Sequence, residues 1–128
     1  MSSILYVALG GALGASGRYL LGQGATRIFG AGFPIGTLSA NIIGSALMGL
    51  LFGYLSTRSG GSSESLRLFI GVGLLGGFTT FSAFSLESIM MLERKAYGSF
   101  VSYIGLSVGL SLLALVVGLW LSRAVFTA

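Results

Sequence analysis

Residues 71–87 read GVGLLGGFTTFSAFSLE, in the middle of a long apolar run. The stretch holds adjacent glycines (Gly76, Gly77), adjacent threonines (Thr79, Thr80) and two phenylalanines three residues apart (Phe81, Phe84). A helix that only fills a membrane has no use for this combination. Each glycine weakens a helix by roughly 1 kcal/mol relative to alanine, and β-branched threonines restore little. The stretch therefore predicts a helix broken near its middle. In lipid, a break is tolerated only where the freed backbone is buried in protein or lines a polar cavity. Freed carbonyls can hold a hard cation such as Na⁺, and freed amides can hold an anion. Phe81 and Phe84 fall on one helix face. Rings presented by their positive edges can line an anion path without a full charge; the competing account is plain packing against protein or lipid.

The first six of these residues, GVGLLG (71–76), match a dinucleotide-binding fingerprint, with Glu93 at a suitable distance. That fingerprint requires a strand before it and a βαβ unit around it. A parallel sheet cannot form inside a hydrophobic span, so the glycines are read as helix-packing positions.

The rest of the chain identifies the solvent. Its 128 residues allow one domain (1–128), and 54% are hydrophobic while only 8% are charged. Soluble domains carry about 25% charge. Four segments reach the ~20 apolar residues that cross a bilayer, at 4–26, 33–55, 67–92 and 98–122. The expected fold is an all-α, multi-pass membrane protein of four helices with the third one broken. Pro34 marks the start of the second helix. STRSGGSSESLR (56–67) reads as a polar loop, and ERKAYG (93–98) as a tight charged turn. The N-terminal run lacks a basic start and is too long for a signal peptide.

The missing residue types narrow the chemistry. There is no Cys, His or Asp, and the only acids are Glu64, Glu87 and Glu93. Thiolate and imidazole metal sites and nucleophilic triads are excluded, and an enzyme is not expected. The net charge of +4 is scattered and forms no nucleic-acid patch.

Arg58, Arg67 and Arg123 fall on one side of the membrane, and Arg27, Arg94 and Lys95 on the other. Three against three sets no orientation by the positive-inside rule. Either other signals fix one topology, or the chain inserts both ways and pairs antiparallel with itself. Gly10, Gly14 and Gly17 share a face of the first span, and Gly105 and Gly109 repeat the spacing in the fourth. Such faces let helices approach closely.

Polar groups inside spans are costly and informative. Asn41, with Ser45 one turn on, can donate to an anion, cap a broken helix or brace two helices. Tyr103, Ser107 and Ser111 recur every four residues on one face. Their hydroxyls either replace water around a moving ion or bond back to their own helix. Arg18 either snorkels to the interface or places positive potential at a vestibule. Glu87 can pair with a cation, cap backbone groups or relay protons. Tyr97 and Trp120 read as interfacial anchors.

GGFTTFSAFSLE (76–87), with GRY in the first span, GTLSANIIGS in the second and the Tyr/Ser row in the fourth, closely resembles the signature of the Fluc/CrcB fluoride channels, along the whole chain. The resemblance implies a passive, fluoride-selective channel exporting toxic fluoride across a bacterial inner or plasma membrane, built as an antiparallel dual-topology homodimer with two pores. It implies that backbone carbonyls of Gly76 and Thr79 from both subunits hold a central structural Na⁺. Phe81 and Phe84 would line the fluoride paths and Asn41 would offer its amide beside them. Ser82, Tyr103, Ser107 and Ser111 would form the polar side, with Arg18 at the vestibule and Glu87 at the family's acidic position. Two departures stand out. Ala83 replaces a Thr of the family pattern, removing a hydroxyl, and Tyr19 follows Arg18 where the family has Trp. Rival readings are a proton-coupled fluoride antiporter, which would need Glu87 to titrate, and a small multidrug-type transporter, which needs an acid in a first helix that here has none. A non-conducting membrane subunit is a third.

Overall fold

The computed structural model describes residues 2–58 and 61–126. Among these residues the chain is helical throughout, with four helices apolar and long enough to cross a membrane. α1 (Ser2–Phe29) ends where Gly30 turns left-handed at φ 82° and its N–H closes on Thr26 O at 2.8 Å. Pro34 has no N–H to lose at a helix start, and α2 (Ile35–Leu55) begins directly after it. The hydroxyls of Ser56 and Thr57 then cover the carbonyls of Gly53 and Tyr54 at the far end of α2.

The third span consists of two helices. α3 starts as Gly61–Leu66, widens into a π-helical stretch, Arg67–Leu75, and closes with the turn Gly76–Phe78. α4 is Ser82–Glu93 and α5 is Tyr97–Phe126. The break is therefore real, but it falls at 79–81, just beyond the two glycines expected to cause it. Gly76 keeps helical angles (φ −62°, ψ −37°), whereas Thr79 is extended (φ −86°, ψ 157°). Part of the region read as a polar loop is already helical, and Ser59 and Gly60 lie outside the described residues.

Between α4 and α5 the turn closes by two bonds, Lys95 N–H to Leu92 O (3.0 Å) and Ala96 N–H to Met91 O (2.9 Å). This is a helix C-terminal motif that favours glycine at its left-handed position. Lys95 occupies it at φ 61°. Lys95→Gly is expected to raise stability by about 1 kcal/mol or slightly less, the left-handed penalty minus glycine's extra chain entropy. Thermal unfolding in detergent reads the shift, and a lower midpoint in the variant would refute it.

The helices form two parallel pairs. Along α1 and α3 the contacting residues rise together: Gly73 meets Val7 and Gly10, and Gly77 meets Gly11 and Ala15. Along α2 and α5, Gly49 meets Leu115 and Leu119, and Gly53 meets Ser122. In both pairs, glycine lets backbone approach backbone. A Cβ on Gly14 would run into the carbonyl of Leu74, and one on Gly49 into that of Leu115. The Ser122 hydroxyl donates to Leu50 O across the second pair at 2.7 Å. GVGLLG thus serves packing. Gly105 and Gly109 differ: among the described residues nothing lies within 4 Å of a Cβ at either position. The interior holds few large side chains, chiefly Leu38, Met91 and Tyr103. Tyr97 and Trp120 are exposed, as are many apolar side chains facing outward where lipid is the solvent.

Candidate functional site

The site begins at the break. In a continuous helix, Thr80 N–H would bond Gly76 O and Ala83 N–H would bond Thr79 O. Both donors are diverted. Thr80 N–H goes to Asn41 Oδ1 at 2.8 Å, and Ala83 N–H goes to the Thr80 hydroxyl at 3.2 Å. Asn41 Nδ2 in turn donates to Thr80 O at 3.1 Å. One side chain from α2 therefore clasps both polar atoms around Thr80. The carbonyl of Gly77 receives Arg18 Nε at 3.3 Å. The Thr79 hydroxyl is spent on Leu75 O at 3.0 Å. Diversion of those two N–H donors leaves the Gly76 and Thr79 carbonyls without their helical partners, and Gly76 is exposed with no side chain over it.

Beside the clasp lies a cavity of about 410 Å³ between α2, the break and α5. Its polar wall includes Asn41, Ser45, Ser107 and Ser111, and its aromatic wall is Phe81 and Phe84. The two rings stand 5.7 Å apart, tilted by 49°. Phe84 continues to Tyr103 at 5.2 Å, and Phe33 meets Tyr103 edge-on at 5.4 Å. Phe81 is 77% exposed on the flank of the chain. Ser107 Oγ and Ser111 Oγ are buried and have no hydrogen-bond partner among the described residues. They do not bond back to their helix. A buried hydroxyl left unpaired costs about 1–3 kcal/mol, and it is retained only where something else uses it.

Tyr103 belongs to the same row but faces another partner. Its hydroxyl donates to Glu87 Oε1 at 2.7 Å, while Thr37 donates to Glu87 Oε2 at 2.9 Å. Glu87 also lines an outer cavity of about 560 Å³ with Arg18, Gln23, Arg27, Thr37 and Ala83. Arg18 thus both covers the Gly77 carbonyl and lines this outer cavity. Phe84 lines the serine cavity, and Tyr103, packed on Phe84, bonds Glu87 of the outer cavity. Ser82 lies apart from both cavities, exposed and 3.3 Å from the Thr80 hydroxyl. Ala83 lines the outer cavity rather than the serine one, so the hydroxyl missing from the family pattern is missing there.

Sequence reasoning passed over Thr37 and Phe33, and read Thr80 only as a weak helix former. Thr37 sits one turn before Asn41 on the same face of α2, a spacing that marks it in hindsight. Phe33, in the loop before Pro34, carries no comparable signal.

These features define a multi-pass helical membrane protein with an interrupted helix clasped by an intramembrane asparagine, next to a cavity holding unpaired hydroxyls. The comparisons narrow this class. A family model described as "CrcB-like protein, Camphor Resistance (CrcB)" matches residues 5–119. A protein of Phenylobacterium zucineum (strain HLK1) called "Fluoride-specific ion channel FluC" is 55% identical over 98% of this chain and 99% of its own length. Proteins of the same name from Ruegeria sp. (strain TM1040) and Caulobacter vibrioides (strain NA1000 / CB15N) are 54% and 49% identical, each over 98% of this chain and at least 98% of their own. The chain belongs to the CrcB family.

Proposed function

We propose that the chain is a passive, fluoride-selective channel that releases fluoride across the cell membrane. The observation carrying this reading is the pair of buried, unpartnered hydroxyls, Ser107 and Ser111, facing Phe81 and Phe84 across one cavity. A small anion sheds water at great cost, and the protein must replace those bonds. Hydroxyl donors and positive ring edges offer replacements that require no mobile charge. Arg18 and Arg27 raise the local anion concentration at the vestibule. Chloride, larger and a weaker acceptor, is excluded by the narrow path and recovers less from the same donors.

The functional unit in this proposal is an antiparallel homodimer with dual topology, containing two pores. Three features support it. The loop charges are balanced, Gly105 and Gly109 are open, and Phe81 and the break lie on an exposed flank. In the dimer the Gly76 and Thr79 carbonyls would hold a central Na⁺. They fit that role because their helical donors are diverted, and a hard cation takes oxygen ligands. When bound, the ion would supply a fixed positive field, strong in a low-dielectric surrounding.

The test is efflux from liposomes holding the purified protein, fluoride against chloride, with no pH gradient. Fast fluoride efflux without chloride efflux is expected. No fluoride flux from folded dimer in Na⁺ buffer would sink the proposal. Flux that moves uphill with an imposed pH gradient would replace it with the antiporter reading, in which Glu87 carries the proton. Phe84→Ile keeps bulk and removes the quadrupole. It is expected to slow fluoride by up to about tenfold, from the ~1.4 kcal/mol upper range of a ring interaction. Unchanged flux in both Phe84→Ile and Phe81→Ile would remove the ring edges from the mechanism.

A further inference from the structure

A second groove lies on the face of α2 and α5 that turns away from the serine cavity, beside the contact of Gly118 with Ala46 and Leu50, and the proposed ion path does not account for it. Its volume is about 350 Å³ and its lining is wholly apolar, including Ile42, Ala46 and Leu50 of α2 and Ala114, Val117 and Leu121 of α5. On α5 the lining runs from residue 110 to residue 121. That is about 16 Å of helix, roughly half of the ~30 Å hydrocarbon thickness of a bilayer. The groove therefore has the reach of one leaflet.

Its two ends differ in chemistry. Toward the middle of the spans it starts among apolar residues, Ile42 and Leu110. Toward the membrane surface it stops at Leu50 and Leu121, which lie side by side because Ser122 bonds Leu50 O. One turn beyond Leu50 stands Tyr54, its ring edge-on to Phe126 at 4.9 Å. Over the Tyr54 ring, 5.0 Å from its centroid, sits the guanidinium of the exposed Arg58. Stacking occupies the face of the guanidinium and leaves its N–H fork for an oxyanion. The order from mid-membrane outward is apolar slot, aromatic ring, arginine. A phospholipid has the matching order of acyl chain, glycerol backbone and phosphate, and aromatic and basic residues favour those same depths.

We propose that this groove binds an anionic glycerophospholipid, with one acyl chain between α2 and α5 and its phosphate at Arg58. A zwitterionic lipid would fill the slot but bring no net charge to Arg58. The site does not depend on what the protein conducts.

Trp120 is the only tryptophan and lies outside the groove lining, so a Trp120→Phe background carrying Val117→Trp, at a lining position, makes tryptophan fluorescence report on this groove. The experiment reconstitutes the full chain in phosphatidylcholine vesicles doped with an equal low fraction of tail-brominated phosphatidylglycerol or tail-brominated phosphatidylcholine. Bromine quenches tryptophan on contact. The phosphatidylglycerol is expected to quench with about fivefold higher apparent affinity, the gain one arginine near the surface provides. Arg58→Gln should abolish that preference and leave phosphatidylcholine quenching intact. Ala114→Phe, which fills the slot, should abolish it with Arg58 still present. Equal quenching by the two lipids in the reporter protein would overturn the proposal, because the groove would then hold only bulk lipid. Full preference retained in Arg58→Gln would overturn the phosphate assignment. Retention in folded Ala114→Phe would overturn the acyl slot.

Discussion

Asn41→Leu is expected to abolish ion flux and to lower stability more than any other single polar substitution in the chain. The side chain holds Thr80 N–H at 2.8 Å and Thr80 O at 3.1 Å. Leucine has nearly the same size and satisfies neither. In a site with little water each orphaned group costs about 1–3 kcal/mol. The broken segment would then either re-form α-helix, returning Thr80 N–H to Gly76 O, or remain open and unpaired. Re-forming the helix rotates Phe81 and Phe84 away from the serine cavity, so both outcomes end conduction. Asn41→Asp separates the two contributions. It keeps an acceptor for Thr80 N–H, loses the donor to Thr80 O, and adds negative charge to the cavity wall. It should fold better than the leucine variant and still fail to pass fluoride. Thermal unfolding in detergent and liposome efflux measure the two effects independently. Near-normal flux in Asn41→Leu would mean that the break is held by something other than this clasp.

The second large effect is expected from Gly14→Val. A Cβ at residue 14 collides with the Leu74 carbonyl and lies 2.8 Å from Phe78 N. Both obstacles are backbone, so no rotamer change relieves them. α1 and α3 must separate along much of their shared length. Overpacking typically costs 1–3 kcal/mol when side chains can move aside, and more when they cannot. The expected outcome is little or no monodisperse protein after extraction. Gly24→Ala is the control, since nothing lies within 4 Å of its Cβ. It should be neutral or stabilising by up to about 1 kcal/mol, the helix-propensity difference. A well-behaved Gly14→Val protein with unchanged melting would refute the tight α1–α3 contact.

The sequence carried much of this architecture, and the failures have identifiable causes. The four spans are visible because a bilayer imposes a long apolar run on every crossing helix. The existence of the break was legible from 76–81, but its position was not. Local propensity pointed to Gly76 and Gly77. Tertiary contact overrides it there, because Gly77 must press against Gly11 and Ala15 and stays helical to do so. The helix gives way at Thr79–Phe81, where a side chain 39 positions earlier competes for the backbone. No local window contains that competitor. The π-helical stretch at 67–75 is likewise unmarked by composition. Ser107 and Ser111 were legible as a hydroxyl row. The departure of Tyr103 toward Glu87 was not, because spacing gives the face of a helix and not the partner it meets. The lone Asn41 was legible as significant, and its pairing with both polar atoms of Thr80 was not.

The pairing of α1 with α3 and of α2 with α5 has a mechanical meaning. Glycine-locked contacts make each pair a stiff plank, while the polar groups of the site sit where the planks meet. Asn41 stands on one side of that seam, and Thr80 and Arg18 on the other. The serine cavity lies where the α3 plank gives out as a helix, with α2 and α5 as its other walls. Its bore is governed by how the planks are bolted, so substitutions far out along a glycine contact can alter conduction without touching a single residue of the path.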